Sequence, residues 1–176
     1  PLPEGRVLLA PGDGAGKGSP AALMMALLLA MMRTLVDEGL EGAPLAARLN
    51  AQLVKHAPRS RFITLFGAVF NPATGEMVYV NAGQNPPLLR HGDGSYERLR
   101  EGGMALGMFE HAAYSAGTAH LEAGEVLVMY SDGITEAENT AGQPFDEARL
   151  QGIVDGGGWA SAKELAWGTF SPLEHQ

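Results

Sequence analysis

Two aspartates occur in the same local setting, and both have the chemistry to hold a divalent cation. Asp13 follows a short apolar segment and precedes Gly14, and Asp132 follows the apolar segment 125–130 and precedes Gly133. If each apolar segment forms a strand and both strands end at one edge of a sheet, the two carboxylates would lie close together. A shared cation would then relieve the repulsion between them. Oxygen ligands suit Mg²⁺ or Mn²⁺, and two such ions can activate a bridging water and hold a phosphoryl group for in-line attack. An Asp-Gly pair is also typical of an ordinary turn, so spacing alone leaves both interpretations open.

The segment around Asp13 is rich in glycine, with four glycines between residues 12 and 18. We expect this backbone to adopt positive φ angles and to come close to another group. A Walker A loop would need a glycine where Pro11 stands and a hydroxyl residue where Gly18 stands. The dinucleotide pattern G-x-G-x-x-G would need a glycine where Ser19 stands. An acidic side chain amid bare backbone therefore favours a cation over a phosphate, although a turn without a ligand stays open.

Composition limits the class of protein. The chain has 176 residues, 45% of them hydrophobic, which is enough for one domain with a sizeable core over residues 1–176. Its net charge of −8 argues against a nucleic-acid surface, and the lack of cysteine excludes disulfides and thiolate metal sites. The longest apolar run, residues 21–32, is shorter than the ~20 residues of a membrane span, and no basic leader opens the chain. We therefore expect a cytoplasmic protein that contacts neither membrane nor nucleic acid.

A long apolar helix must follow the glycine-rich segment. Ser19 and Pro20 are a good helix start, and Gly39 predicts an end after residue 38. Because this helix is apolar nearly all round until Arg33, we expect it to be buried or covered by a partner. Core packing is one interpretation of its methionines, and a face that meets a second subunit or a regulatory domain is the other. These residues are Met24, Met25, Met31 and Met32.

The remaining pattern predicts a second helix, a set of short strands and two late helices. The second helix spans residues 44–56, with leucines four apart on one face. Alternating apolar residues and turn signals then predict strands over 62–70, 76–81, 88–90, 95–100, 114–121 and 125–130. The last of these is the most apolar, and we expect it to be central. Helices are predicted over residues 145–154 and 161–170. An α+β fold follows, with an antiparallel sheet or sandwich and helices on its faces.

Six segments taken together resemble the SpoIIE-type branch of the metal-dependent (PPM, type 2C) protein serine/threonine phosphatases. They occur in the family's order and fall within residues 5–155; they are 12–23, 66–75, 79–89, 103–107, 121–125 and 130–137. The resemblance implies a two-layer antiparallel β-sandwich flanked by helices, in α/β/β/α layers. It also implies a centre of two Mn²⁺ or Mg²⁺ ions.

The resemblance assigns roles to three residues. Asp13 is similar to the bridging ligand, Gly14 to a ligand through its carbonyl, and Asp132 to a ligand of the second ion. Metal-bound water would attack phosphoserine or phosphothreonine without a phosphoenzyme, so Asp13 and Asp132 are also the candidate catalytic residues. The implied substrates are phosphorylated anti-sigma-factor antagonists or similar bacterial signalling proteins. A receiver, PAS or GAF sensor is the implied N-terminal partner, and a homodimer through residues 20–38 is a further hypothesis.

The sequence also departs from the family pattern. Members usually carry a Gly-Gly-Asp-x-x-Asp strand before the Gly-Asp segment and an Asp-Asp-x-Thr strand near the end. Neither motif occurs in these 176 residues, so we expect either that terminal strands lie outside this sequence or that the site is degenerate. Gln84 stands where a histidine is common. The alternative function is therefore a pseudophosphatase that acts as a protein-binding regulatory or adaptor domain, with a small-molecule phosphohydrolase as a third interpretation.

Overall fold

The computed structural model describes residues 1–14, 19–56, 61–135, 137, 144–157 and 161–165. The chain forms two compact units, Pro1–Met129 and Tyr130–Gln176. That all 176 residues act as one domain stays a prediction.

Most of the regular structure described lies in the first unit. After a 3₁₀ turn at Pro3–Gly5 come β1 (Val7–Leu9), β2 (Gly12–Gly14), α1 (Ser19–Asp37), α2 (Gly42–His56), β3 (Ile63–Phe70), β4 (Glu76–Ala82), β5 (Leu88–Arg90), β6 (Tyr96–Arg98), β7 (Gly102–Gly103), β8 (Gly117–His120) and β9 (Val126–Val128). The second unit contains α3 (Asp132–Thr135) and α4 (Glu147–Asp155).

The strands of the first unit form two mainly antiparallel sheets. In the first sheet, β3 pairs with β4 on one side and with β1 and β2 in succession on the other. Strand β4 then pairs antiparallel with β8 and, over a short stretch, parallel with β7. The second sheet has the order β6-β5-β9. The predicted antiparallel architecture is confirmed, apart from the parallel β4–β7 pair.

The prediction that segment 125–130 forms a central strand is wrong. Strand β9 covers only Val126–Val128 and lies at one end of the order β6-β5-β9. Its three residues are only partly buried, whereas Leu88 and Leu89 of the middle strand are completely buried. An apolar run reports how much of a strand is covered, and it does not report how many partners the strand pairs with.

Alternate residues of β3 pack on opposite faces of the first sheet. Ile63 and Leu65 belong to a core cluster with leucines of α1 and α2, so the helices cover this face. Phe66 belongs to a second cluster, which contains Leu99 and is flanked by Leu127 of the second sheet. The layers of the first unit are therefore helices, sheet and sheet, in agreement with the predicted α+β sandwich. The outer helical layer beyond the second sheet stays a prediction.

Helix α1 begins and ends where the sequence predicts. It starts at Ser19, and Gly39 closes it with a φ of 89°. The Gly39 amide donates to the Val36 carbonyl and the Leu40 amide donates to the Leu35 carbonyl, which is the Schellman arrangement of a glycine-terminated helix.

The methionines of α1 pack mainly inward. Met32 is completely buried in the core, and the other three are partly buried against that core. A Cβ on Gly67 of β3 would lie 2.8 Å from Met32 Cε, so the thioether fills the space that this glycine leaves. The prediction of a partner face made by Met24, Met25, Met31 and Met32 is therefore corrected at Met32. The large exposed apolar side chains described in α1 are leucines, at 72%, 50% and 42% exposure for Leu23, Leu27 and Leu29.

The second unit bears out one predicted late helix. Helix α4 begins after Asp146, whose carboxylate accepts a 2.9 Å hydrogen bond from the Arg149 amide. The Tyr130 hydroxyl donates to Glu147 Oε2 at 2.8 Å. At the second predicted helix, the Glu164 amide donates to Ser161 Oγ at 3.3 Å, as a capping residue requires. Residues 166–170 of that prediction lie outside the described residues.

A histidine–carboxylate pair joins the β5–β6 hairpin to the start of β9. His91 Nδ1 lies 2.9 Å from Glu125 Oε1, and His91 Nε2 lies 3.5 Å from Glu97 Oε2. The hydrogen bond to Glu125 raises the pKa of His91 above its ordinary 6.5. The backbone amide of Glu122, and then His91, lower the pKa of Glu125 below 4.5. The pair is therefore charged and stabilising between these two ordinary values.

The stability of this connection should depend on pH in a defined direction. Because the folded-state pKa of His91 is raised, its contribution is complete below pH 6.5 and is lost as pH rises through the folded-state value. The lowered pKa of Glu125 gives a contribution that is present above pH 4.5 and is lost on acidification. An NMR titration should place the pKa of His91 above its ordinary value of 6.5, and Glu125→Gln should lower it. Equal His91 values in the two proteins would contradict the pairing.

Candidate metal centre

Asp13 lies in a strand and not in a loop, which corrects the prediction for this segment. Strand β2 pairs antiparallel with β3, so that Gly12, Asp13 and Gly14 lie opposite Leu65, Thr64 and Ile63. The local pattern could not show this pairing, because the partner lies about fifty residues further along the chain.

Of the two glycines that flank Asp13, Gly12 serves close approach, and neither needs an unusual backbone angle. Neither Gly12 nor Gly14 has a positive φ, so the predicted positive φ is wrong at these two positions. A Cβ on Gly12 would lie 2.8 Å from the Thr64 carbonyl oxygen, which is closer than side chains pack. The predicted close approach is therefore confirmed at Gly12. Residues 15–18 of the glycine-rich segment lie outside the described residues.

The register determines the face on which the Asp13 carboxylate lies. Residues directly opposite in an antiparallel pair project on one face, and so do residues two apart in a strand. Asp13 is opposite Thr64, and Thr64 is two residues before Phe66, which packs towards the second sheet. Asp13 is therefore on the face of the first sheet that carries the second sheet, and its side chain is exposed. A solvated ion could reach this carboxylate.

Thr64 connects β2 to the turn after β4. Its hydroxyl oxygen lies 2.7 Å from Gln84 Oε1 and 3.3 Å from the Asp13 carbonyl oxygen. The backbone amide of Gln84 donates to Asn81 Oδ1 at 2.8 Å, and Asn81 Nδ2 donates to the Leu99 carbonyl at 3.3 Å. The sequence singled out Gln84 but not Thr64. The one available signal was a polar residue on a strand face that otherwise carries Phe66, Ala68 and Phe70.

Asp132 is the first residue of the short helix α3 and does not end a strand. Strand β9 stops at Val128, so the predicted strand–aspartate–glycine setting is replaced by a strand, a short connection and a helical turn. The exposed Asp132 carboxylate accepts a 2.8 Å hydrogen bond from the Gly133 amide, and the Thr135 hydroxyl donates to the Asp132 carbonyl at 3.2 Å. Asp13 belongs to the first unit and Asp132 to the second, so their convergence stays a prediction.

The donors available fit a hard cation by type. Asp13 and Asp132 offer exposed carboxylates and Gly14 offers a backbone carbonyl, and Mg²⁺ or Mn²⁺ prefers such oxygen ligands. Among the described residues, no cluster of three or more histidine, cysteine, aspartate or glutamate side chains is arranged to hold a metal ion. Asp13 and Gly14 would therefore supply only part of a shell that water and other groups complete, and Asp132 as a further ligand stays a prediction.

The family model of Stage II sporulation protein E (SpoIIE) matches residues 3–175. The chain belongs to the SpoIIE family. Phosphoserine phosphatase RsbU of Bacillus subtilis (strain 168) is 30% identical to it over 166 residues, which cover 94% of this chain and 49% of RsbU. The SpoIIE-family chain thus spans about half the length of this curated relative. These matches confirm the resemblance that the sequence motifs carry.

Solved structures confirm the fold of this SpoIIE-family chain. The PP2C phosphatase domain of SpoIIE from Bacillus subtilis, solved with a fragment of its regulatory domain, matches with a TM-score of 0.77 and 18% identity, over 97% of this chain and 50% of that one. The catalytic domain of the serine/threonine protein phosphatase PstP, in complex with two manganese ions, matches with a TM-score of 0.65 and 15% identity, over 93% and 81%. None of the helices described in our chain combines the length and apolarity needed to cross a membrane.

Proposed function

We propose that this chain is a catalytic domain that removes phosphate from phosphoserine or phosphothreonine on a bacterial signalling protein, with Mn²⁺ or Mg²⁺ as cofactor. The observation that carries the proposal is the exposed Asp13 carboxylate, fixed on β2 beside the Gly14 carbonyl in a chain of the SpoIIE family. The name of RsbU and the manganese ions of PstP support the same chemistry.

In this proposal Asp13, the Gly14 carbonyl and Asp132 hold the metal ions. Such ions supply a water of lowered pKa as the nucleophile and neutralise charge on the phosphoryl group. The pairing of β2 with β3 fixes the Asp13 backbone, and Gly12 lets that backbone come close to Thr64. The exposed Asp13 carboxylate contributes negative charge that attracts a divalent cation to β2.

The cellular setting belongs to the same proposal. The substrate is a phosphorylated protein of the anti-sigma-factor antagonist type, and the reaction takes place in the cytoplasm without membrane or nucleic acid. A regulatory domain precedes the chain, as the solved SpoIIE structure contains part of one. If a homodimer forms through α1, its contacts are the exposed leucines and not Met32.

Metal removal tests the proposed activity directly. The full-length protein should release phosphate from a phosphoserine-bearing antagonist protein in the presence of Mn²⁺, and EDTA should reduce release to background because activated water is the nucleophile. Phosphate release can be followed with malachite green, and added Mn²⁺ or Mg²⁺ should restore it. Turnover that persists without divalent ions would contradict the proposal.

A pseudophosphatase is the second candidate function. Gln84, at a position where the family commonly carries histidine, is the residue that favours it. A protein that binds the phosphorylated antagonist but releases no phosphate at any Mn²⁺ concentration would support this adaptor function.

A further inference from the structure

Thr64 lies between two segments that approach β3 from opposite sides. On one side it is paired with Asp13 of β2. On the other side the β3–β4 ladder ends at the pair Leu65–Ala82, and the chain turns away at Gly83, which has a φ of 78°. The next residue, Gln84, directs its side-chain amide to the Thr64 hydroxyl at 2.7 Å. The hydroxyl thus bridges the turn after β4 and the strand that carries Asp13.

The Thr64 hydroxyl has one hydrogen and two acceptors within reach. It can donate to Gln84 Oε1 at 2.7 Å or to the Asp13 carbonyl at 3.3 Å, but not fully to both. A half-turn of the Gln84 terminal amide would present Nε2 to the hydroxyl. The amide would then donate to Thr64, and Thr64 would donate to Asp13. The hydroxyl hydrogen and one amide hydrogen each have an acceptor in this second arrangement, so the two arrangements are alternatives of one hydrogen-bond chain.

The hydrogen-bond chain ends at the peptide group between Asp13 and Gly14, the two proposed metal ligands on β2. The Asp13 carbonyl and the Gly14 amide belong to the same planar group, so a side-chain hydrogen bond to that carbonyl adds to the β2–β3 ladder in holding the plane between them. The other end of the chain is anchored, because the Gln84 backbone amide donates to Asn81, which is only 4% exposed. A glutamine at position 84 can therefore transmit the rigidity of the buried Asn81 to β2.

We propose that Gln84 is a positioning residue for the β2 metal ligands and acts through the Thr64 hydroxyl. The proposal rests on the proposed function, since Asp13 and Gly14 are ligands only if the chain binds a metal. A side chain at 84 that can both accept and donate preserves the arrangement. Gln84→His keeps both capacities, whereas Gln84→Leu removes them and leaves a slightly shorter apolar side chain. Thr64→Val removes the hydroxyl at constant shape, and Thr64→Ser keeps it.

The test is Mn²⁺ binding by the full-length protein, measured by isothermal titration calorimetry. Gln84→Leu and Thr64→Val should each weaken binding roughly 10-fold, as expected for partners that orient metal ligands. The double variant should bind Mn²⁺ no more weakly than either single variant, because both substitutions break the same hydrogen-bond chain. The Mn²⁺ affinities of Gln84→His and Thr64→Ser should stay within about twofold of the wild type. The control is Thr118→Val on β8, an exposed threonine that takes no part in this hydrogen-bond chain, and its affinity should stay within the same range.

The outcomes separate this inference from the proposed function. Wild-type affinity in Gln84→Leu, together with lost binding in Asp13→Asn, would overturn the positioning function and leave the metal site standing. A lower melting temperature in Gln84→Leu with unchanged Mn²⁺ affinity would also overturn it, since that pattern indicates a structural function only. Equal Mn²⁺ binding by wild type and Asp13→Asn would remove the proposed function, and this inference with it.

Discussion

Asp13→Asn should lower Mn²⁺-dependent phosphate release roughly 100-fold or more, since residues that only orient ligands already contribute roughly 10- to 100-fold. The substitution keeps the size of the side chain and its place opposite Thr64, but it removes the negative charge offered to the cation. Mn²⁺ affinity should fall with the rate, because the lost interaction precedes chemistry. Initial rates over a range of Mn²⁺ concentrations on the phosphorylated antagonist measure both effects.

The turn between β5 and β6 provides a matched control for Asp13→Asn. Asp93 also precedes a glycine and is exposed, and its Oδ1 accepts a hydrogen bond from the Ser95 amide at 2.8 Å. Asp93→Asn preserves that acceptor and carries the same charge change, so its rate should equal that of the wild type. Equal losses in Asp13→Asn and Asp93→Asn would show that net charge, and not a ligand, is responsible.

Gly102→Ala should destabilise the first unit by about 3 kcal/mol, near the upper end of the usual cost of overpacking. Gly102 pairs with Asn81 where β7 runs parallel to β4, and a Cβ would overlap the Asn81 backbone carbonyl. A backbone atom cannot move aside as a flexible side chain can, so the ladder itself must shift. Urea denaturation followed by circular dichroism measures the free energy of unfolding.

Gly92→Ala is the comparison for this substitution. Gly92 lies in the exposed β5–β6 turn, its φ is not positive, and no atom lies within 4 Å of an added Cβ. The free energy of unfolding of the Gly92→Ala variant should stay within about 0.5 kcal/mol of the wild type. If Gly102→Ala is as stable as Gly92→Ala, the close β4–β7 approach is not needed for folding.

Local signals predicted α1, α2 and α4, and they missed the short helix α3. Helix α1 starts at Ser19, as predicted, and its end at Gly39 follows from amides that satisfy carbonyls of the last turn, a signal that acts over a few residues. The β3–β4 hairpin was equally accessible, because the turn at 71–75 joins strands that are neighbours in the chain.

Features that depend on distant partners were harder to predict. Asp13 belongs to a strand because β3 accepts it as a partner, and Met32 is buried because Gly67 leaves space for it. No short-range pattern contains either fact. The same limit applies to the candidate site, where the sequence identified Asp13 and Gln84 but not Thr64, which lies between them.

The embedding of Asp13 in a ladder has a consequence for regulation. Its backbone cannot swing in and out as a loop residue can, because any such motion would have to separate β2 from β3. In the proposed metal centre, a signal that switches activity on or off would therefore leave the Asp13 backbone in place and displace the oxygen donors that other segments contribute. The Asp13 backbone would then have the same position in the active and the inactive state.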